Sequence, residues 1–214
     1  MKNDYDEIAE DWASARADLQ LPRDDRELLE RFVDTLPQSP KVLDLGCGTG
    51  IPIADLLVDR GADVVGVDRS KGLLDLARSN VPAADFVHGD VVTFNAEGRY
   101  DGVVLWDVIF HIERHKHRDI LERIAGWLRP QGLLIVTSGG SDHPPFTDVM
   151  FGQEFFYDAH PPEAFRQLCR AVGFEVIELD VLDEPDGERN KGRIGALLRL
   201  DTVDGREVIV TGTP

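Results

Sequence analysis

Cysteine is nearly absent: Cys47 and Cys169 are the only two in 214 residues. One falls in a glycine loop and the other on a helical pattern, so both read as free thiols of a reducing compartment, with no disulfide framework. No apolar run approaches the length that crosses a bilayer. The opening MKNDYDEIAE is polar and acidic and has no signal-peptide core, so a cytoplasmic location is expected. Basic residues are scarce as well. Lys and Arg number 23 against 40 Asp and Glu, for a formal net charge of −17. A surface built for phosphates wants clustered Lys and Arg. With no dense basic run present, nucleic acid and anionic membrane are not expected partners. Repeats, linkers and low-complexity tracts are also missing, so residues 1–214 read as one domain.

What is present is an alternation of strand and helix patterns, which predicts an α/β fold with a mainly parallel sheet. Residues 4–17 read as a helix, with Tyr5, Ile8, Trp12 and Ala15 at helical spacing. Residues 22–36 read as another, with Pro22 at its start and Leu28, Leu29, Phe32, Val33 and Leu36 in a stripe. Strand 41–45, a glycine loop and helix 51–60 follow. Next come strand 62–68 and helix 71–79, with Ser70 as its cap. A short third strand lies in 85–90 and a fourth in 100–108, apolar enough to be buried on both faces. Helix 117–128, the turn 129–132 and strand 133–138 lead into 139–160, read as an irregular loop of the length that lids and binding loops have. Helix 161–172 and strands 174–182 and 193–201 close the pattern, and the tail REVIVTG is either an edge strand or frayed.

The stretch VLDLGCGTG, residues 42–50, carries the most chemistry. A strand, a glycine loop and a helix present free backbone N–H groups and let a ligand touch the main chain. Dinucleotide sites want G-x-G-x-x-G, but the third such position here is Ile51. The actual spacing is G-x-G-x-G, at Gly46, Gly48 and Gly50. It resembles motif I of the class I S-adenosylmethionine-dependent methyltransferases. The resemblance continues through Asp68 at the end of the second strand, HGD at 88–90, YDGVVLWDV at 100–108, LRPQGLLIV at 128–136, and GFEVIEL with GRIGALLRL near the end. It covers about residues 40–200.

That resemblance implies a Rossmann-like seven-stranded, mainly parallel sheet with helices on both faces. It divides the domain into a helical cap (1–38), a cofactor-binding core (39–138), a substrate or lid loop (139–160), and a C-terminal helix with antiparallel strands (161–214). It implies S-adenosylmethionine as cofactor. Asp68 would hold the ribose hydroxyls, a role that suits carboxylate chemistry, and Asp90 the adenine amine. The implied cofactor site comprises Tyr5, Trp12, Arg16, Asp44, Gly46, Cys47, Gly48, Asp68, Arg69, Asp90, Val91 and Trp106. Aromatic faces of Tyr5 and Trp12 suit a sulfonium, and Arg16 suits a carboxylate. Each also has a plainer reading. Tyr5 and Trp12 fit a packed helix face, Arg16 a solvated residue, Asp68 a helix cap and Asp90 a turn. Asp44 either holds the loop or faces the cofactor's ammonium group.

Methyl transfer from a sulfonium is an in-line displacement in which the protein mainly holds the reactants close and dry. A base helps where the acceptor must lose a proton. Candidates are His111, since imidazole titrates near neutrality, with Asp107 four residues before it and on the same face if the chain turns helical there. His143 and His160 are the further candidates in the loop, beside Phe146, Phe151, Phe155, Phe156 and Tyr157. Those aromatics fit either a substrate pocket or a plug that closes the loop on itself. HPPF at 143–146 differs from N-P-P-[YF] by its His and follows strand five. HIERHKH lacks the H-E-x-x-H offset, so no metal is expected. The expected reaction is methylation of an O, N or C nucleophile on a small molecule. A protein methyltransferase, a non-methylating cofactor-binding relative and a nicotinamide dehydrogenase are the rivals.

Overall fold

The computed structural model describes residues 5–16, 21–187 and 189–201. A 3-10 turn, Tyr5–Ile8, leads into α1 (Ala9–Arg16), where one continuous helix was expected. Then follow α2 (Arg23–Thr35), β1 (Lys41–Leu45), α3 (Ile53–Asp59), β2 (Asp63–Asp68), α4 (Lys71–Asn80), β3 (Asp85–His88) and β4 (Tyr100–Leu105). The second half holds α5 (His117–Trp127), β5 (Leu128–Gly139), β6 (Phe146–Met150), β7 (Gln153–Tyr157), α6 (Pro162–Val172), β8 (Phe174–Asp183) and β9 (Arg193–Leu200). The REVIVTG tail lies outside the described residues.

Seven strands form one sheet in the order β3-β2-β1-β4-β5-β9-β8. The first five are parallel, and β9 runs antiparallel to both β5 and β8. The chain starts at β1, winds outward to β3, then crosses back to β4. The order therefore reverses between β1 and β4, and a crevice opens at that switch point beyond the strand ends. Alternate side chains of the central strands point to opposite faces. Leu43 and Leu45, Val103 and Leu105, and Leu134 and Val136 meet α5 and α6 on one face. Val42, Val104, Leu133 and Ile135 meet α2 and α3 on the other. Gly102 lets α2 approach: a Cβ there would lie 2.7 Å from Cζ of Phe32. Phe32 is fully buried, which is worth roughly 2–3 kcal/mol relative to an exposed ring.

Two expectations are corrected. Residues 129–132 do form a turn, but inside β5. Tyr100 pairs with Leu128 and Gly102 with Leu133, so Arg129–Gly132 is looped out of the ladder as a bulge. Residues 139–160 are not irregular. They hold the β6–β7 hairpin as a separate two-stranded sheet. Its turn is Phe151–Gly152 with φ of 48° and 78°, the geometry of a two-residue type I′ hairpin turn. Alternation in FTDVM and a glycine at the turn were the available signals.

Candidate active site

The glycine loop is pinned to the end of β2. The N–H groups of Gly46 and Cys47 both donate to the Val67 carbonyl, at 2.7 and 3.1 Å. Gly46, Gly48 and Gly50 have φ of 77°, 54° and 77°, the left-handed region that glycine adopts without steric cost. A Cβ at Gly46 would be driven into the Val108 side chain, whereas one at Gly48 would meet nothing within 4 Å. The loop thus packs tightly behind Gly46 and leaves bare backbone in front at Gly48.

Asp68 sits at the end of β2, 8% exposed. Its Oδ2 accepts from the Gly48 N–H at 2.9 Å and its Oδ1 from the Ser70 N–H at 2.8 Å. Each oxygen retains a second lone pair. Burial raises its pKa, and the backbone donors at Ser70 and Gly48 work against that rise. Ser70 caps α4, its Oγ accepting from the Leu73 N–H. The same hydroxyl donates to Asp6 at 2.7 Å.

These elements form one wall of a cavity of about 330 Å³, within the size range of small-molecule sites. Gly46, Cys47, Gly48, Asp68, Arg69, Asp90, Val91, Trp106, Tyr5 and Trp12 all line it, together with Asp107 and His111. Asp90 caps the following turn, its Oδ1 accepting from Val92 at 2.8 Å. Arg123 of α5 holds that turn from behind, donating to the carbonyls of Phe94 and Val91 at 2.8 and 2.7 Å. The sequence gives no spacing signal for that arginine.

Asp44 stands apart. Its carboxyl is 2% exposed, it lies outside the cavity lining, and Oδ2 has no hydrogen-bond partner among the described residues. Burial first, and the Asp68 charge second, push its pKa up to about 7. Arg16 ends α1, and its side chain lies outside the described residues.

At the far end of the cavity, Tyr5 and His111 meet. The His111 Nδ1 is 3.0 Å from the Phe156 carbonyl, and Nε2 is 3.1 Å from the Tyr5 hydroxyl. A carbonyl only accepts, so Nδ1 carries the proton and Nε2 accepts from the phenol. Burial pushes the His111 pKa down to about 4. The ring is wrapped by Tyr5, Phe110, Phe155 and Tyr157, with centroids 4.7–6.0 Å away. Phe155 is fully buried, so part of the loop's aromatic cluster is a plug on His111.

Asp107 follows β4 with φ of 55°, a costly conformation for a non-glycine residue and one that clusters at functional sites. No α-helix forms over 107–111. The chain makes only the 3-10 turn Ile109–His111, yet both Asp107 and His111 reach the cavity. Thr137 of β5 donates to Asp107 Oδ1 at 3.0 Å, and Arg193 donates to the same oxygen at 2.9 Å. Arg193 also donates to Asp25 at 2.6 Å and Asp183 at 2.8 Å. Burial works against the Arg193 charge, and Asp107, Asp183 and Asp25 more than reverse that effect. Sequence reading singled out neither Asp25 nor Arg193.

His143 and His160 lie elsewhere. His143 lines a second cavity, of about 470 Å³, with Phe110, Phe146, Tyr157, Arg189 and Arg193. His160 packs edge-on against His117 and contacts the Arg114 carbonyl at 3.2 Å. It lines neither cavity, because α6 begins immediately after it and its ring turns toward α5. The second cavity adjoins the first where Arg193 meets Asp107 and where Tyr157 packs on His111.

Similarity to known proteins agrees with this architecture. A malonyl-[acyl-carrier protein] O-methyltransferase of Halalkalibacterium halodurans is 28% identical over 181 residues, covering 80% of this chain and 61% of that protein. Phosphoethanolamine N-methyltransferase 3 of Arabidopsis thaliana is 29% identical over 170 residues, covering 74% of this chain and 34% of that protein. The chain therefore spans less than two thirds of the length of these relatives. A SAM-dependent methyltransferase structure from Methanosarcina mazei superposes with a TM-score of 0.69 at 15% identity, over 86% of this chain and 99% of that one, which establishes the shared fold. The sequence pattern of the methyltransferase domain matches residues 17–179, a span that takes in the glycine loop, Asp68, Asp90, Asp107 and His111. The chain belongs to the methyltransferase domain family.

Proposed function

We propose that the protein transfers a methyl group from S-adenosylmethionine to an oxygen, nitrogen or carbon nucleophile of a small molecule. The observation that carries this reading is the arrangement around Asp68. A nearly buried carboxylate with lone pairs to spare faces the bare backbone of Gly48 at the sheet's switch point. A ribose diol fits those acceptors. Asp90 and Val91, beyond β3, fit an adenine ring. Tyr5 and Trp12, 5.4 Å apart and edge to face, offer aromatic surface to a sulfonium. When bound, the cofactor supplies an electrophilic methyl group on a cationic sulfur.

The protein's own contribution is placement and dryness. The glycine loop fixes the nucleoside end. Asp107, held through Oδ1 by Thr137 and Arg193, orients hydrogen-bond donors of the acceptor. Beside it, His111 holds the Tyr5 hydroxyl on its Nε2 lone pair and takes an acceptor's proton there only when that phenol swings aside. With a pKa near 4 it is a weak base, suited to taking a proton only as the acceptor's acidity rises during bond formation. The acceptor's body lies in the second cavity, against Phe110, Phe146 and Tyr157.

The test is calorimetric titration with S-adenosylmethionine and S-adenosylhomocysteine, with NAD as control, repeated on Asp68→Ala. Binding of the adenosyl ligands, weakened at least tenfold by the substitution, is the expected result. Binding of NAD alone overturns the reading.

A further inference from the structure

The N-terminal segment 5–16 is hydrogen-bonded to the start of α4 through one acidic side chain. Asp6 Oδ1 accepts from the Ser70 hydroxyl at 2.7 Å and from the Gly72 N–H at 3.0 Å. Both donors belong to the first turn of α4, where a carboxylate also meets the positive end of the helix dipole. Ala9 sits directly on Gly72: a Cβ added there would lie 3.0 Å from the Ala9 Cβ. Ile8 and Ala9 are buried beneath the cap. The other end of the same short segment places Tyr5 against His111.

Ser70 serves two partners at once. Its N–H holds Oδ1 of Asp68, and its Oγ reaches Asp6. One residue therefore links the segment over the cavity to the carboxylate within it. Asp6 itself does not line the cavity.

We propose that Asp6 is a positioning residue that couples closure of the N-terminal cap to the turn carrying Asp68. With Asp6 docked, Tyr5 and Trp12 cover the cavity, and Ser70 is held in the position that orients Asp68. With Asp6 released, the cap lifts and the 68–70 turn loosens together with it. This rests on the reading of the cavity as a nucleoside site, and the turn itself is observable without any ligand.

Three variants of the whole chain test it. Asp6→Ala removes the acceptor. Asp6→Asn keeps an oxygen at Oδ1. Gly72→Ala removes no donor or acceptor and favours the α4 helix by propensity, but crowds Ala9. Ser70→Ala is unsuitable, because Ser70 Oγ also caps α4 through Leu73. In ligand-free protein, Asp6→Ala and Gly72→Ala are expected to speed hydrogen exchange across residues 5–16 and at the Ser70 amide, with Asp6→Asn close to wild type. In titrations with S-adenosylhomocysteine, the first two are expected to weaken binding about tenfold, the size of one charge-assisted hydrogen bond, mainly through faster release. Unchanged exchange at Ser70 in both variants overturns the coupling. So does faster exchange with unaltered affinity. If wild type binds no adenosyl ligand, the functional reading falls, while exchange at Ser70 still decides whether the cap and the turn move together.

Discussion

The Tyr5 hydroxyl lies 3.1 Å from Nε2 of His111, bringing together two residues 106 positions apart in the chain. The Nδ1 proton of the same ring is taken by the Phe156 carbonyl. The ring is therefore fixed as the Nδ1–H tautomer, with its Nε2 lone pair on the Tyr5 hydroxyl. Nitrogen-15 NMR of the imidazoles at pH 7 should show a histidine with protonated Nδ1 and unprotonated Nε2 whose signal disappears in His111→Gln. It should stay neutral well below pH 6. A His111 that titrates near 6.5 would contradict the buried geometry.

Acid should unfold the protein earlier than carboxylate titration alone would. Burial lowers the pKa of both His111 and His117 to about 4. A folded pKa depressed below the unfolded value stabilises above the unfolded pKa, and that stability is lost as pH falls through the folded one. Here the window runs from about 6.5 down to about 4. Urea midpoints measured across it should fall in the wild type and fall less steeply in His117→Gln.

Asp44 acts in the opposite sense. Its pKa is raised to about 7, so the folded state holds that proton more tightly than the unfolded chain does. Stability is then greatest below the unfolded pKa and declines as pH rises toward 7. Asp44→Asn should raise the thermal midpoint at pH 8 by several degrees and leave it nearly unchanged at pH 4. The gain is on the order of a few kcal/mol at most.

Arg193 gathers three carboxylates from α2, the β4 end and β8. Arg193→Met should cost about 3–5 kcal/mol in denaturant titrations, since it strands buried charge. Asp25 is 1% exposed, so adding Asp25→Asn to that variant should recover part of the loss. Such recovery would give a coupling energy in a double-mutant cycle.

Gly46→Ala should be the most damaging substitution in the loop. It combines a positive φ with a Cβ directed into Val108. A loss of stability of about 1–3 kcal/mol is expected, with adenosyl binding abolished. Gly48→Ala has open space behind its Cβ, so it should keep more of the stability while impairing binding.

The architecture was legible because the central strands are buried on both faces. Strand and helix patterns then alternate cleanly in the sequence, as in YDGVVL and LLIVTS. The glycine loop, Asp68 and Asp90 were legible for another reason: they follow strands, and topology carries strand ends to one crevice. Asp25, Thr137 and Arg193 were not. Each meets Asp107 or its neighbours only through tertiary contact, across the sheet for Thr137 and Arg193 and from α2 for Asp25, and a lone polar residue in a helix, a strand or a glycine-rich run carries no local pattern. The β6–β7 hairpin was hidden by HPPF and by a Phe at its turn. His160 was misplaced because its proximity in sequence to the aromatic cluster says nothing about which way its ring turns.

Arg193 also bears on how such a sequence can drift. Its guanidinium serves Asp25, Asp107 and Asp183, which come from three distant parts of the chain. A change at any one of them alters what the other two require of position 193. These four positions should vary among relatives as a set. Neutral exchange at position 107, on the cavity wall, should then be traceable to compensation in α2 and β8, far from it in sequence.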